Sequence, residues 1–387
     1  MHRRRGLFVT LGSAVVLAVA AVGLVIGHFA WMPPATPAVS PTPTTFPPAF
    51  GVPGIYRVTP PISVHQGGQG SSAAGAPSNA PAIARATDPA LVDIDTTLSY
   101  EGEEAAGTGM VVSSPGEVLT NNHVIEGATS ISVTDVGNGK TYAATVLGYD
   151  RSAGIAVLKL TSASGLDVAK LGNSSTVKVG AGVVAIGNAE GLGGIPSYAA
   201  GSVLSLNQSI TAEDAANGGA EQLSGLIETN AAIQSGDSGG ALVDASGDVI
   251  GVVTAASESY RFEQSSTQGF AIPINEASSL AGRIEAARSS LTVHIGPTAF
   301  LGVDVQPPPS GMGAEIVEVI PNEPAAAAGL SSGDTITSFA GKVVSSPESL
   351  TDLILGEAPG ATVQLRYLDL SGVGRTVSVT LTSGPPQ

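Results

Sequence analysis

Short apolar runs broken by turn residues fill the chain from Ala90 onward: residues 109–112, 118–120, 130–133, 143–147, 155–160, 183–186, 202–206, 226–228, 241–243 and 249–254. Runs of this length, rich in Val and Ile, bounded by Gly, Asn, Asp and Ser and with almost no helical period between them, predict a mainly β protein built as a barrel or a sandwich. A helical pattern follows at 275–288, with Asn275 as its expected cap, and another at 347–355 behind a proline. Further strands are expected at 314–319, 362–367 and 375–381.

The pattern changes completely toward the N-terminus. Residues 7–30 form a run of 24 almost wholly apolar positions behind Arg3, Arg4 and Arg5. As a helix it would measure about 36 Å, enough to cross a hydrocarbon core. A cleaved signal peptide is the alternative, but its apolar region is usually only about 7 to 15 residues long. An uncleaved transmembrane helix is therefore expected, with the arginines holding the N-terminus in the cytoplasm and the bulk of the chain extracytoplasmic. Residues 33–84 are rich first in Pro and Thr and then in Gly, Ser and Ala, with little to bury, so an extended tether is expected. The expected domains are thus 1–31 (stub and anchor), 32–84 (linker), 85–290 and 291–384.

Composition narrows the chemistry. The formal net charge is −16 and Arg3–Arg5 is the one marked basic cluster, which argues against a nucleic-acid partner held through phosphates. With Cys 0, disulfides, thiolate catalysis and cysteine metal sites are excluded. His2, His65 and His294 are scattered without ligand spacing, and the glycine-rich stretch 187–194 lacks the lysine of a phosphate loop. No metal and no cofactor are expected, and that stretch reads as a flexible loop near a cleft.

The sharpest local signal is Gln234-Ser235-Gly236-Asp237-Ser238-Gly239-Gly240. A catalytic hydroxyl needs a base within hydrogen-bond reach and backbone N–H groups directed at the developing oxyanion. Glycines on both sides of Ser238 permit such a backbone, with Gly236, Asp237 and Ser238 as the expected oxyanion donors. The same string also suits an ordinary turn. What favours catalysis is His123 upstream, in Leu119-Thr120-Asn121-Asn122-His123-Val124-Ile125, at the end of an apolar strand.

Together the two motifs resemble the HtrA/DegP family of trypsin-like serine proteases, and actinobacterial membrane-anchored members in particular. Gly107-Thr108-Gly109 and Gly269-Phe270-Ala271-Ile272-Pro273-Ile274 agree with that resemblance, which extends over roughly residues 87–384. It implies two barrels with the site between them, His123 as base and Ser238 as nucleophile. One member of the expected triad is missing: where the family places an aspartate before its I-A-V-L strand, this chain has Gly154. The nearby Asp150 is a weak substitute, because four extended residues span about 13 Å.

Near the C-terminus, Phe300-Leu301-Gly302-Val303 joined to Ala328-Gly329-Leu330-Ser331-Ser332-Gly333-Asp334-Thr335-Ile336 resembles a PDZ domain. The resemblance implies capture of peptide C-termini by the Phe300–Val303 region through strand addition, with Leu350 and Leu353 either lining the pocket or belonging to the core. It also implies unfolded or C-terminal polypeptides as partners and a homotrimer. The function expected is extracytoplasmic quality-control proteolysis, weakened by Gly154. The alternative is a catalytically impaired pseudoprotease acting as chaperone or peptide sensor.

Overall fold

The computed structural model describes residues 70–213, 220–254, 268–290, 292–309 and 311–387, all within one compact unit, Ser63–Gln387. The expected anchor and most of the expected tether lie outside the described residues. Among the described residues no helix is long and apolar enough to cross a membrane.

The folded region begins earlier than composition suggests. Strand β1 (Gly70–Ser72) pairs in parallel with Tyr198, Ala199 and Ala200. Helix α1 (Ala80–Thr87) buries Ile83 and Ala84 in the main core. The expected linker end at residue 84 is therefore corrected to before Gly70. Small residues that look like a tether in isolation are here the ones thin enough to lie against a sheet.

The next strands, β2 (Leu91–Leu98), β3 (Glu103–Ser113), β4 (Glu117–Asn121), β5 (Ser130–Asp135), β6 (Thr141–Asp150) and β7 (Ile155–Leu160), make a sheet that closes because β6 pairs with both β5 and β7. A second closed sheet consists of β8 (Gly182–Gly187), β9 (Ser197–Glu213), β10 (Ala220–Thr229), β11 (Ala241–Asp244), β12 (Val249–Thr254) and β13 (Gly269–Pro273), with β8 pairing both β9 and β11. These are the two expected barrels.

Their strands look continuously apolar because both faces are covered. In β7, Ala156 and Leu158 fill the first barrel while Ile155 and Val157 face the core between the barrels. In β8, Val183 and Ala185 fill the second barrel, and Val184 and Ile186 join that same central core. Helix α2 (Ile274–Glu285) adds Ile274, Ala277, Leu280, Ala281 and Ile284 to it. Asn275 is not its cap: Pro273 is, with no side-chain bond, and Asn275 Nδ2 donates to Asn173 Oδ1 at 2.7 Å instead.

After α2, β14 (Val293–Ile295) pairs with Asp150, Tyr149 and Gly148, extending the first barrel. The expected domain boundary at 290/291 thus moves past Ile295. The last domain comprises β15 (Thr298–Phe300), β16 (Val303–Gln306), β17 (Ala314–Val319), α3 (Pro324–Ala327), β18 (Thr335–Phe339), β19 (Lys342–Val343), α4 (Pro347–Leu355), β20 (Thr362–Leu368), β21 (Gly374–Thr380) and β22 (Thr382–Gly384). Its sheet runs β16-β17-β18-β20-β21, so β16 is an edge strand. Ser346 and Ser349 form a reciprocal capping box on α4. Phe339, Ile336, Leu365 and Ala325 build a separate core for this domain.

Candidate active site

His123 lies on the turn that follows β4, exposed between buried neighbours Asn122 and Val124. The turn is wound tightly: the Asn122 carbonyl accepts the N–H groups of Ile125 at 2.9 Å and Glu126 at 3.0 Å. Ile125, fully buried in the first barrel, anchors it from below.

The serine motif is brought to the same place by β3. The Thr108 N–H donates to the Ser238 carbonyl at 2.8 Å, and the Thr108 hydroxyl donates to the Gly236 carbonyl at 2.7 Å. Thr120, three residues before His123, donates its hydroxyl to the Thr108 carbonyl at 2.7 Å. A Cβ on Gly107 would meet Val124 Cγ1 at 2.7 Å and the Ser238 carbonyl at 3.4 Å. The turn carrying His123 and the turn carrying Ser238 therefore adjoin across one strand, at the junction of the two barrels.

Gly236 has φ +89, and only glycine fits: an added Cβ would run into the Asn188 carbonyl and lie 2.8 Å from the Gly191 nitrogen. Ser238 is 7 % exposed. The Asp237 N–H corrects the expected trio of oxyanion donors, because it closes the turn onto the Gln234 carbonyl at 3.2 Å. Among the described residues the Gly236 N–H has no such internal partner. The loop 187–194 is likewise bonded in place: Glu190 N–H donates to the Ser235 carbonyl at 2.6 Å, Gly193 N–H to Asn188 Oδ1 at 2.7 Å, and Gly194 N–H to Asp93 Oδ2 at 3.0 Å. Beside Gly236 and Ser235 opens a cleft of about 470 Å³, bordered by Asp95, Glu104 and Glu190.

Gly154 closes a short helical turn in the left-handed region, φ +64, and its carbonyl accepts from the Asn122 N–H at 3.1 Å and Asn121 Nδ2 at 3.0 Å. It is thus packed directly beneath the histidine turn, where the resemblance places the acid. Asp150 is otherwise engaged. Its Oδ1 accepts from the Ser152 hydroxyl at 2.6 Å and the Ala153 N–H at 3.2 Å, and its Oδ2 from the Thr292 hydroxyl at 2.8 Å. These bonds make it the cap of that turn and its link to the segment before β14.

Burial pushes the carboxyls of Asp237 and Asp93 up to about 6, opposed for Asp237 by the Gln234 N–H and for Asp93 by the Gly194 N–H. A carboxyl raised in the fold favours folding while it is protonated, below about 4, and loses that contribution as pH rises through 6. Asp237→Asn is consequently expected to match the wild type in urea unfolding near pH 4 and to be more stable by up to about 3 kcal/mol at pH 8. A difference that does not vary with pH would contradict it.

In the last domain, Ala299–Val303 and helix α4 frame a narrow groove of about 40 Å³, with Leu350 and Ile354 on the helix side. Leu353 packs on the domain core instead. Gly302, φ +79, makes the bend between β15 and β16, and its carbonyl accepts the Ile320 N–H at 3.0 Å. Phe300 lines the groove, and its ring stacks on Tyr100 of the protease region, 5.3 Å between centroids. His294, the one scattered histidine among the described residues, lies 5.0 Å from the Tyr149 ring and its proton affinity is lowered by burial. No cluster of metal-ligating side chains occurs among the described residues.

Two paired barrels with a glycine-framed serine at their junction, followed by a sheet with an edge groove, define a trypsin-like peptidase carrying a PDZ domain. The profile of the trypsin-like peptidase domain matches residues 107–252 and that of the PDZ domain residues 299–381. The chain is 34% identical over 321 residues to serine protease PepD of Mycobacterium tuberculosis, covering 79% of this chain and 66% of that protein. It is 35% identical over 293 residues to the periplasmic pH-dependent serine endoprotease DegQ of Escherichia coli (72% and 59%) and 34% identical over 255 residues to DegP of the same organism (62% and 50%). It belongs to the HtrA/DegP-type family of trypsin-like serine proteases with a C-terminal PDZ domain. The chain spans about half to two thirds of the length of the curated relatives it matches.

Proposed function

We propose that the protein is a serine endopeptidase of protein quality control, with Ser238 as nucleophile, His123 as general base, and the Gly236 and Ser238 amides as the oxyanion hole. The observation that carries this reading is the junction at Thr108, which ties the serine turn to the strand leading into His123. The serine attacks the scissile carbonyl, the imidazole takes its proton and later returns it to the leaving amine, and the amides bear the negative charge of the tetrahedral intermediate. The cleft beside Gly236 gives an unfolded chain room to lie in.

The PDZ groove takes peptide C-termini by adding a strand to β16, with Leu301, Val303, Leu350 and Ile354 favouring an apolar last residue. The 24-residue apolar run behind Arg3–Arg5 supports a membrane anchor and an extracytoplasmic catalytic region, and two of the relatives are named periplasmic. Assembly as a homotrimer belongs to the same reading by family analogy.

Gly154 favours a second reading, in which hydrolysis is impaired and the protein serves as chaperone or peptide sensor. A serine-directed phosphonate and a casein-degradation assay separate the two. Wild-type protein is expected to be labelled and to cleave slowly, while Ser238→Ala abolishes both. Absence of labelling and cleavage in the wild type, with suppression of substrate aggregation intact in Ser238→Ala, would establish the second reading.

A further inference from the structure

The segment after β22 leaves the PDZ domain and docks on the first barrel. The Pro386 carbonyl accepts the Gly127 N–H at 2.9 Å, the Gln387 main-chain oxygen accepts Asn122 Nδ2 at 3.3 Å, and the Gln387 N–H donates to the Tyr149 hydroxyl at 3.3 Å. Pro385 and Pro386 are buried. Asn122 and Gly127 flank His123 on its turn, and Tyr149, 1 % exposed, stands below that turn in the barrel core.

The same segment reaches the peptide groove, where Gln387 lines one end beside Leu301, Val303, Leu350 and Ile354. With Gln387 there, the free volume is only about 40 Å³. A small-molecule pocket usually has at least about 300 Å³, so the space left beside Gln387 is small. Two consecutive prolines, each with φ fixed near −65°, stiffen the segment that carries Gln387 to the groove.

We propose that residues 385–387 are a strap joining the two sites: docked, they brace the histidine turn and close the PDZ groove, and a peptide C-terminus entering the groove must displace them. The proposal rests on the peptide-binding reading of that groove. By linkage, whatever favours strap docking opposes peptide binding to the same degree. The neighbouring contacts supply the lever, since Tyr100 stacks on Phe300 and its hydroxyl donates to Glu323 at 3.1 Å, keeping the PDZ groove beside the histidine turn.

The test uses the full chain, a ten-residue peptide ending in a free leucine, and its C-terminal amide as control. Hydrogen exchange in residues 122–128 and peptide affinity by fluorescence anisotropy are followed. Deleting 385–387 is expected to tighten peptide binding on the order of ten-fold and to speed exchange in 122–128. The free peptide should speed that exchange in the intact chain and add nothing in the deleted one, and the amide should do neither. Pro385→Gly with Pro386→Gly, which softens the strap without shortening it, should shift both readings the same way by less. Equal affinity for the intact and shortened chains, or protection of 122–128 that neither deletion nor peptide alters, overturns the strap. Binding to neither chain overturns it together with the peptide-binding reading.

Discussion

Gly154→Asp is expected to raise amidolytic turnover, by up to about four powers of ten. An aspartate in a serine triad holds the imidazole in the right tautomer and stabilises the imidazolium, and its loss costs on that order, about 5 to 6 kcal/mol of activation free energy. Gly154 lies against the histidine turn, its carbonyl accepting from Asn121 and Asn122, the two residues before His123. Its backbone is left-handed, φ +64. Aspartate is among the few side chains that visit that region, at roughly 1 to 2 kcal/mol, so the substitution lowers stability slightly without preventing folding. Turnover against a peptide amide, with Ser238→Ala in the same background as blank, checks the result. An unchanged rate in a folded variant would show that the absent acid is not what limits this site.

Gly239→Ala should nearly abolish phosphonate labelling of Ser238. The added Cβ would collide with the Thr108 carbonyl and the Thr120 hydroxyl, and φ is +85. Neither obstacle can yield cheaply. The Thr108 carbonyl already holds the Thr120 hydroxyl at 2.7 Å, and its strand also carries the bonds to Gly236 and Ser238. Left-handed strain together with overpacking amounts to about 2 to 5 kcal/mol. If the two barrels stay folded, the strain is relieved by pulling the serine turn off β3, and labelling is lost while the urea transition persists. A variant that folds and is labelled at the wild-type rate would show that the junction is softer than its contacts imply.

Strand positions in the barrels were readable wherever both faces of a strand are apolar, as at residues 155–160 and 249–254. The strand Leu91–Leu98 was less readable. Its sequence alternates aspartates with Val92 and Ile94, and only the fold provides Asp93 with the Gly194 N–H at 3.0 Å. Helix α1 was missed for the converse reason, since Ala and Pro carry little hydrophobic signal until a sheet lies against them. Asn275 had the right chemistry for a cap but found a better partner in Asn173, distant in sequence.

Ser238, His123 and Gly154 stand out as candidates in the sequence because catalytic chemistry constrains residue type and local backbone, and both are written along the chain. What required tertiary structure was partnership. Which amide of the serine turn is already spent, where the Asp150 carboxylate is held, and that residues 385–387 lie against the turn bearing His123 all depend on hydrogen bonds between segments far apart in sequence. Such bonds are settled only when the barrels and the PDZ domain have packed, because a donor commits to whichever acceptor the fold brings within reach.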